Sequence, residues 1–269
     1  MKNQHLFPFL AIIATCLFAC KPKNAGEVGN TPVFSADTLK YEVRKAGKRY
    51  CVNDEQCADY NIFHLIVSGT NAPLAGTVRM LIQMRTLEGL GGNKALPFDL
   101  AIDSVGLVFI EDFIQLKRDN PRQTFNQSIQ LTSNVLLNNP RILTARMNFH
   151  SFKGGAYPNI STAIMSFDLQ RDGAELKVAD LVRDTAALLP MLDKAFKEAK
   201  QMQANDDITK LLTPGMKSLP LPANVGVVPQ GILFVYNEDE VAPRAVGSAD
   251  ILLTWEQLGD LADKSRWIQ

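Results

Sequence analysis

Leu143-Thr144-Ala145-Arg146-Met147-Asn148-Phe149-His150 alternates apolar and polar residues along its whole length. Side chains on a strand point alternately to opposite faces, so Leu143, Ala145, Met147 and Phe149 should face a core and their neighbours water. Ala163, Met165, Phe167 and Leu169 repeat the pattern against Thr162, Ile164, Ser166 and Asp168. The two runs predict neighbouring antiparallel strands joined through residues 153–161, with Asp172-Gly173 as the next tight turn.

Around this pair, Tyr60–Val67 reads as a buried strand and Phe125, Ile129 and Leu131 as an alternating one. Asn71 followed by Pro73 marks a helix start, and Pro97 opens a second helix. In the latter, Phe98, Ile102, Val105, Phe109, Phe113 and Leu116 share one face until Asn120-Pro121 ends it. Leu188 or Leu189, Leu192, Phe196 and Ala199 make a third helix, its start blurred by Pro190. Asn205-Asp206-Asp207 caps a short helix, and residues 214–229 read as a proline-rich connection. Ile232–Tyr236 and Ala249–Trp255 are further strands, and Glu256–Ala262 suggests a last helix. Strands grouped with strands predict an α+β fold with an antiparallel sheet and packed helices.

The amino-terminal residues carry an address. Lys2 and His5 precede an apolar run from Leu6 to Ala19, which is shorter than the roughly 20 residues that span a bilayer. It reads as a signal peptide over residues 1–19. Leu17-Phe18-Ala19-Cys20 resembles the lipobox of bacterial lipoproteins, which implies cleavage before Cys20 and acylation there. Each buried CH₂ contributes about 0.8 kcal/mol, so several acyl chains together hold a protein on a membrane almost permanently. Residues 20–34 form a tether, and Lys21 favours the outer membrane, facing the periplasm, by analogy with lipoprotein sorting. Cys16 leaves with the signal peptide and Cys20 takes lipid. Cys51 and Cys57 remain as an even pair, expected as a disulfide in an oxidising compartment, with two thiols too few for a structural zinc site.

Lys plus Arg and Asp plus Glu each number 28, so the net charge is zero, against the basic field that nucleic-acid binding requires. No later apolar run approaches membrane-spanning length. Catalytic motifs are absent: no G-x-S-x-G elbow, no Walker or dinucleotide context for Gly91-Gly92 or Gly154-Gly155. No cofactor or metal is expected. His64 lies in an apolar strand and reads as a hydrogen-bonded core residue, and His150 as a solvated one. An enzyme acting on peptidoglycan would need carboxylates such as Glu111, Asp112 or Asp168 to converge in a cleft. A spacer without a ligand is the remaining alternative.

Phe152-Lys-Gly-Gly-Ala-Tyr-Pro-Asn159, then Ser166-Phe-Asp-Leu169 and Leu176–Leu181, resembles one signature of the envelope domain known as domain of unknown function 3298. Gly231-Ile-Leu-Phe-Val-Tyr-Asn237 and Glu240-Val-Ala-Pro-Arg-Ala-Val-Gly247 resemble its second. The resemblance covers about residues 130–258 and implies two lobes, a smaller amino-terminal one at 35–121 and the family domain at 122–269. Relatives include an RsiV-type anti-sigma factor that binds lysozyme and a protein carrying a peptidoglycan deacetylase domain. The resemblance therefore implies a non-catalytic binding role toward a lysozyme-like protein or a peptidoglycan glycan. Tyr157 stands where the family has His, and Asp239 and Arg244 where it has Tyr. From the residues themselves, Gly154, Gly155, Tyr157, Pro158 and Asn159 form a turn that offers an aromatic ring beside an amide, suited to a sugar. Glu238, Asp239 and Glu240, followed by Arg244, form an acidic cluster suited to a cationic partner, or a structural turn.

Overall fold

The computed structural model describes residues 38–53, 55–203 and 205–268. The expected signal peptide, lipidated Cys20 and tether lie outside the described residues. The chain opens with a hairpin of β1 (Lys40–Cys51) and β2 (Cys57–Ser68), followed by α1 (Ala72–Leu90) and α2 (Phe98–Asp119). Then come β3 (Gln127–Asn138), β4 (Ile142–Phe152), β5 (Asn159–Asp168) and the short β6 (Ala174–Glu175). These strands form one sheet in sequential order. After α3 (Val178–Leu181) and α4 (Thr185–Ala199), β7 (Asn224–Val228), β8 (Gly231–Tyr236) and β9 (Ala249–Thr254) form a second sheet, closed by the single turns α5 (Trp255–Leu258) and α6 (Lys264–Trp267). The fold is α+β, as the alternation predicts.

The helix boundaries follow local chemistry. Asn71 caps α1 by accepting from the Leu74 N–H, and Gly91 ends it in the left-handed conformation. Pro97 precedes α2 and Asn120 closes it. Asp184 caps α4 through the Ala186 and Ala187 N–H groups, and Pro190 is held inside that helix rather than at its start. The Cys51–Cys57 disulfide is formed and closes the tip of the β1–β2 hairpin. In the chain-entropy model a loop of this size is worth roughly 2 kcal/mol.

Three expectations need correcting. The first sheet is not wholly antiparallel, because β2 and β3 run parallel, joined by the two-helix crossover. That pairing joins residues 58–63 to residues 127–132, so the expected boundary between 121 and 122 falls inside one sheet with one core. The proline-rich connection contains a buried strand, β7.

That strand decides the architecture. One face of the first sheet packs on α1 and α2 through Leu131, Leu143, Ala145, Met147 and Phe167. On its other face Thr144 and Ser166, read above as solvent-facing, are fully buried under the second sheet. Their hydroxyls bond each other at 2.7 Å, and the Val227 N–H donates to Ser166 Oγ at 2.9 Å. Gly226 lies directly against the Ile164 side chain and Thr144. The second sheet buries its own core of Val225, Val227, Phe234 and Ile251 with Leu192 and Phe196 of α4.

His64 is in the core at 4 % exposure, ring edge against Phe98 with centroids 5.1 Å apart. The expected hydrogen bond is missing at Nδ1, which is buried without a partner among the described residues. Burial pushes its pKa below the ordinary value; Asp99 and Glu42 oppose this and Arg44 adds to it.

Two outcomes follow from this packing. Gly226→Ala should cost about 1–3 kcal/mol in a urea titration, as overpacking does, because its methyl meets Ile164 and Thr144. Above about pH 6.5 His64 is neutral folded or unfolded; below it the unfolded chain takes up a proton that the folded core resists. Stability is therefore lost as pH falls through that value, and the fall in thermal midpoint between about pH 7.5 and 5.5 should be smaller in His64→Leu.

Candidate functional site

The β4–β5 hairpin and the β8–β9 connection meet at one end of the molecule. In the hairpin, Gly154 and Gly155 take φ of 105° and 106°, which other residues rarely adopt. Gly154 also sits against the Phe125 ring, where a Cβ has no room. The turn leaves Tyr157 71 % exposed, followed by Pro158.

The opposite wall is a tight turn after β8. The Asn237 N–H donates to Glu240 Oε2 at 2.8 Å, and Asp239 adopts a φ of 60°. Asn237 also bridges to β5: its Oδ1 accepts the Thr162 N–H at 2.6 Å and its Nδ2 donates to the Thr162 carbonyl at 3.0 Å. β6 pairs only with the far end of β5, so this amide satisfies strand-edge groups that no neighbouring strand reaches. Arg244 closes the junction by donating from Nη2 to Asn159 Oδ1 at 3.1 Å.

Tyr157, Pro158, Ile160, Glu238, Arg244 and Ala245 line the resulting cleft, of about 640 Å³. The structure thus brings together the two segments singled out in the sequence. The acidic cluster is partly offset from within. Arg244 lies 3.0 Å from Asp239 and 3.5 Å from Glu238, and Glu240 accepts the Asn237 N–H in its turn. What the cleft offers is apolar surface, one exposed phenol and an acidic wall that a single guanidinium offsets in part.

Sequence reasoning missed the residue that fixes the outer wall. At the end of α4, Lys200 donates from Nζ to the carbonyls of Val246, Gly247 and Ser248 at 2.8, 3.1 and 2.7 Å. Burial lowers its pKa, an effect that nearby Glu238 opposes. A lysine just past a helix is common, and no local pattern tells that its partners lie 46 residues away.

The carboxylates of the enzyme reading have separate partners. Asp168 is buried and holds Arg171 at 2.8 Å and Arg266 at 3.5 Å, while Asp112 is exposed on α2 near Lys153. Glu111 is exposed beside it. His150 is half-buried on the polar face of β4, its Nδ1 buried without a partner among the described residues. Among the described residues no three of His, Cys, Asp or Glu stand together as a metal site, and no helix is long and apolar enough to cross a membrane.

Residues 179–256 match a family model described as protein of unknown function (DUF3298). The matched segment runs from α3 through the second sheet and includes the Asn237–Arg244 wall of the cleft. A member of that family from Bacteroides fragilis has a similar fold, with a TM-score of 0.65 at 16 % identity over 84 % of this chain and 94 % of that one. A DUF3298 family protein from Pseudomonas aeruginosa gives a TM-score of 0.57 at 14 % identity over 87 % and 99 %. No curated protein matches the sequence. Residues 179–256 are thus similar to the DUF3298 family model, and the α+β fold is similar to those of two bacterial DUF3298 proteins.

Proposed function

We propose that the protein is a lipid-anchored, non-catalytic binding protein of the bacterial envelope that holds a glycan in the cleft between residues 154–160 and 238–245. The observation that carries this reading is the convergence of the two loops around an exposed Tyr157. Sugar ligands combine apolar C–H faces with hydroxyls, which suits an aromatic ring and apolar walls beside a few polar groups. Arg244 engages both Glu238 and Asp239, which leaves this wall less acidic than its sequence suggests and weakens the case for a cationic, lysozyme-like protein. The scattered partners of Asp112 and Asp168 support binding rather than glycan cleavage. Acylation of Cys20 would hold the domain at the outer membrane, facing the periplasm, an assignment supported by the sequence of the signal and by the disulfide.

Purified protein should co-sediment with peptidoglycan, and Tyr157→Ala should weaken this at least about tenfold with its thermal midpoint unchanged, since the ring is exposed. Capture of lysozyme without peptidoglycan binding would replace the glycan reading with a protein one, and release of soluble glycan fragments would replace it with an enzymatic one. Cys20→Ala should move the protein from the membrane fraction to the soluble one.

A further inference from the structure

We infer that the binding surface continues out of the cleft across the uncovered part of the first sheet, where it takes an extended, uncharged glycan strand. This inference rests on the glycan reading of the cleft. The second sheet covers Thr144, Ile164 and Ser166 but stops at Thr162, where Asn237 holds the edge of β5. Beyond that line the register sets Phe63, Thr132, Asn148 and Thr162 side by side on β2, β3, β4 and β5. The next row places Gln130, His150 and Ile160 together. Strands lie about 4.8 Å apart, so these rows cross about 14 Å of sheet. That distance accommodates more than one sugar ring.

The chemistry of this face is that of a neutral, hydroxyl-rich ligand. Thr162 Oγ1 and Arg146 Nε donate to Asn148 Oδ1 at 3.1 and 2.9 Å, and Asn148 Nδ2 points to Thr132 Oγ1 at 3.5 Å. This fixes the amide and leaves the exposed Thr132 hydroxyl and Gln130 amide to donate and accept. Apolar surface lies at both ends, with Phe63 37 % and Ile160 44 % exposed. Few charges lie at the margins: Arg146 is paired with Asp250 at 2.6 Å and Arg244 with its carboxylates, while Lys45 rests over the Phe63 ring. A polyanion would need several basic groups in a row across the face, where the register instead sets Thr132, Asn148 and Thr162. Ile160 belongs both to the cleft and to the face, so a strand leaving Tyr157 passes directly onto it.

The test is calorimetric titration of the full chain with the disaccharide and the tetrasaccharide of N-acetylglucosamine, both uncharged. The tetrasaccharide should bind at least about tenfold tighter. Phe63→Ala and Gln130→Ala should each remove much of that gain and leave disaccharide affinity unchanged, whereas Tyr157→Ala should weaken both. Equal affinity for the two lengths, or a tetrasaccharide gain untouched in both Phe63→Ala and Gln130→Ala, overturns the extension and leaves the cleft reading standing. Failure of both sugars to bind overturns the cleft reading together with the extension. Preference for heparin over the neutral oligomer overturns the uncharged ligand. Both altered side chains are exposed, so folding of the variants is checked directly by their thermal midpoints.

Discussion

A serine hydroxyl in a buried interface holds the two sheets in register. Ser166 Oγ bonds Thr144 and accepts the backbone N–H of Val227, so a strand from the second sheet is tied to the back of the first. A hydroxyl buried without partners would cost a few kcal/mol; here both hydroxyls and the amide satisfy one another. The arrangement works only because Gly226 has no side chain, which lets β7 lie against Ile164 and Thr144. With β7 fixed, β8 is fixed, and its last turn arrives at Thr162 with Asn237 aimed at the free edge of β5.

The cleft is a consequence of that docking. Neither loop alone makes a cavity: the 154–159 turn is a hairpin tip, and the 237–245 segment is a capped turn. Brought together, they are held by Arg244 on Asn159 from one side and Lys200 on three carbonyls from the other. The same contacts change the electrostatics. A run of three acidic residues suggests a negative patch, and the guanidinium beside them offsets part of its charge.

Much of the fold was legible because local signals agreed with one another. The alternation in β4 and β5, the Asn71 and Pro97 starts and the aromatic stripe of α2 each predicted their elements, and all match the structure. Apart from the two-residue β6, two strands were not legible, for different reasons. β1 carries five basic residues on an exposed edge, which protects the edge from pairing with other chains but erases the apolar alternation. β7 is five residues long, contains the docking glycine and lies among prolines, so its pattern imitates a loop. The parallel pairing of β2 and β3 follows from a two-helix crossover, the kind of connection that parallel neighbours require.

The sequence by itself determined the α+β class, the starts of α1 and α2, the cysteine pair and the two motif-bearing loops, since each rests on neighbours a few residues apart. The resemblance of Leu17–Cys20 to a lipobox is likewise a matter of local pattern alone. Only the tertiary structure decided that Thr144 and Ser166 face a second sheet instead of water, that Asp168 is held by Arg171 and Arg266, and that residues 157 and 244 share a cleft. Those outcomes depend on contacts between residues as much as about a hundred positions apart, and periodicity reports which side of an element is buried without naming what buries it.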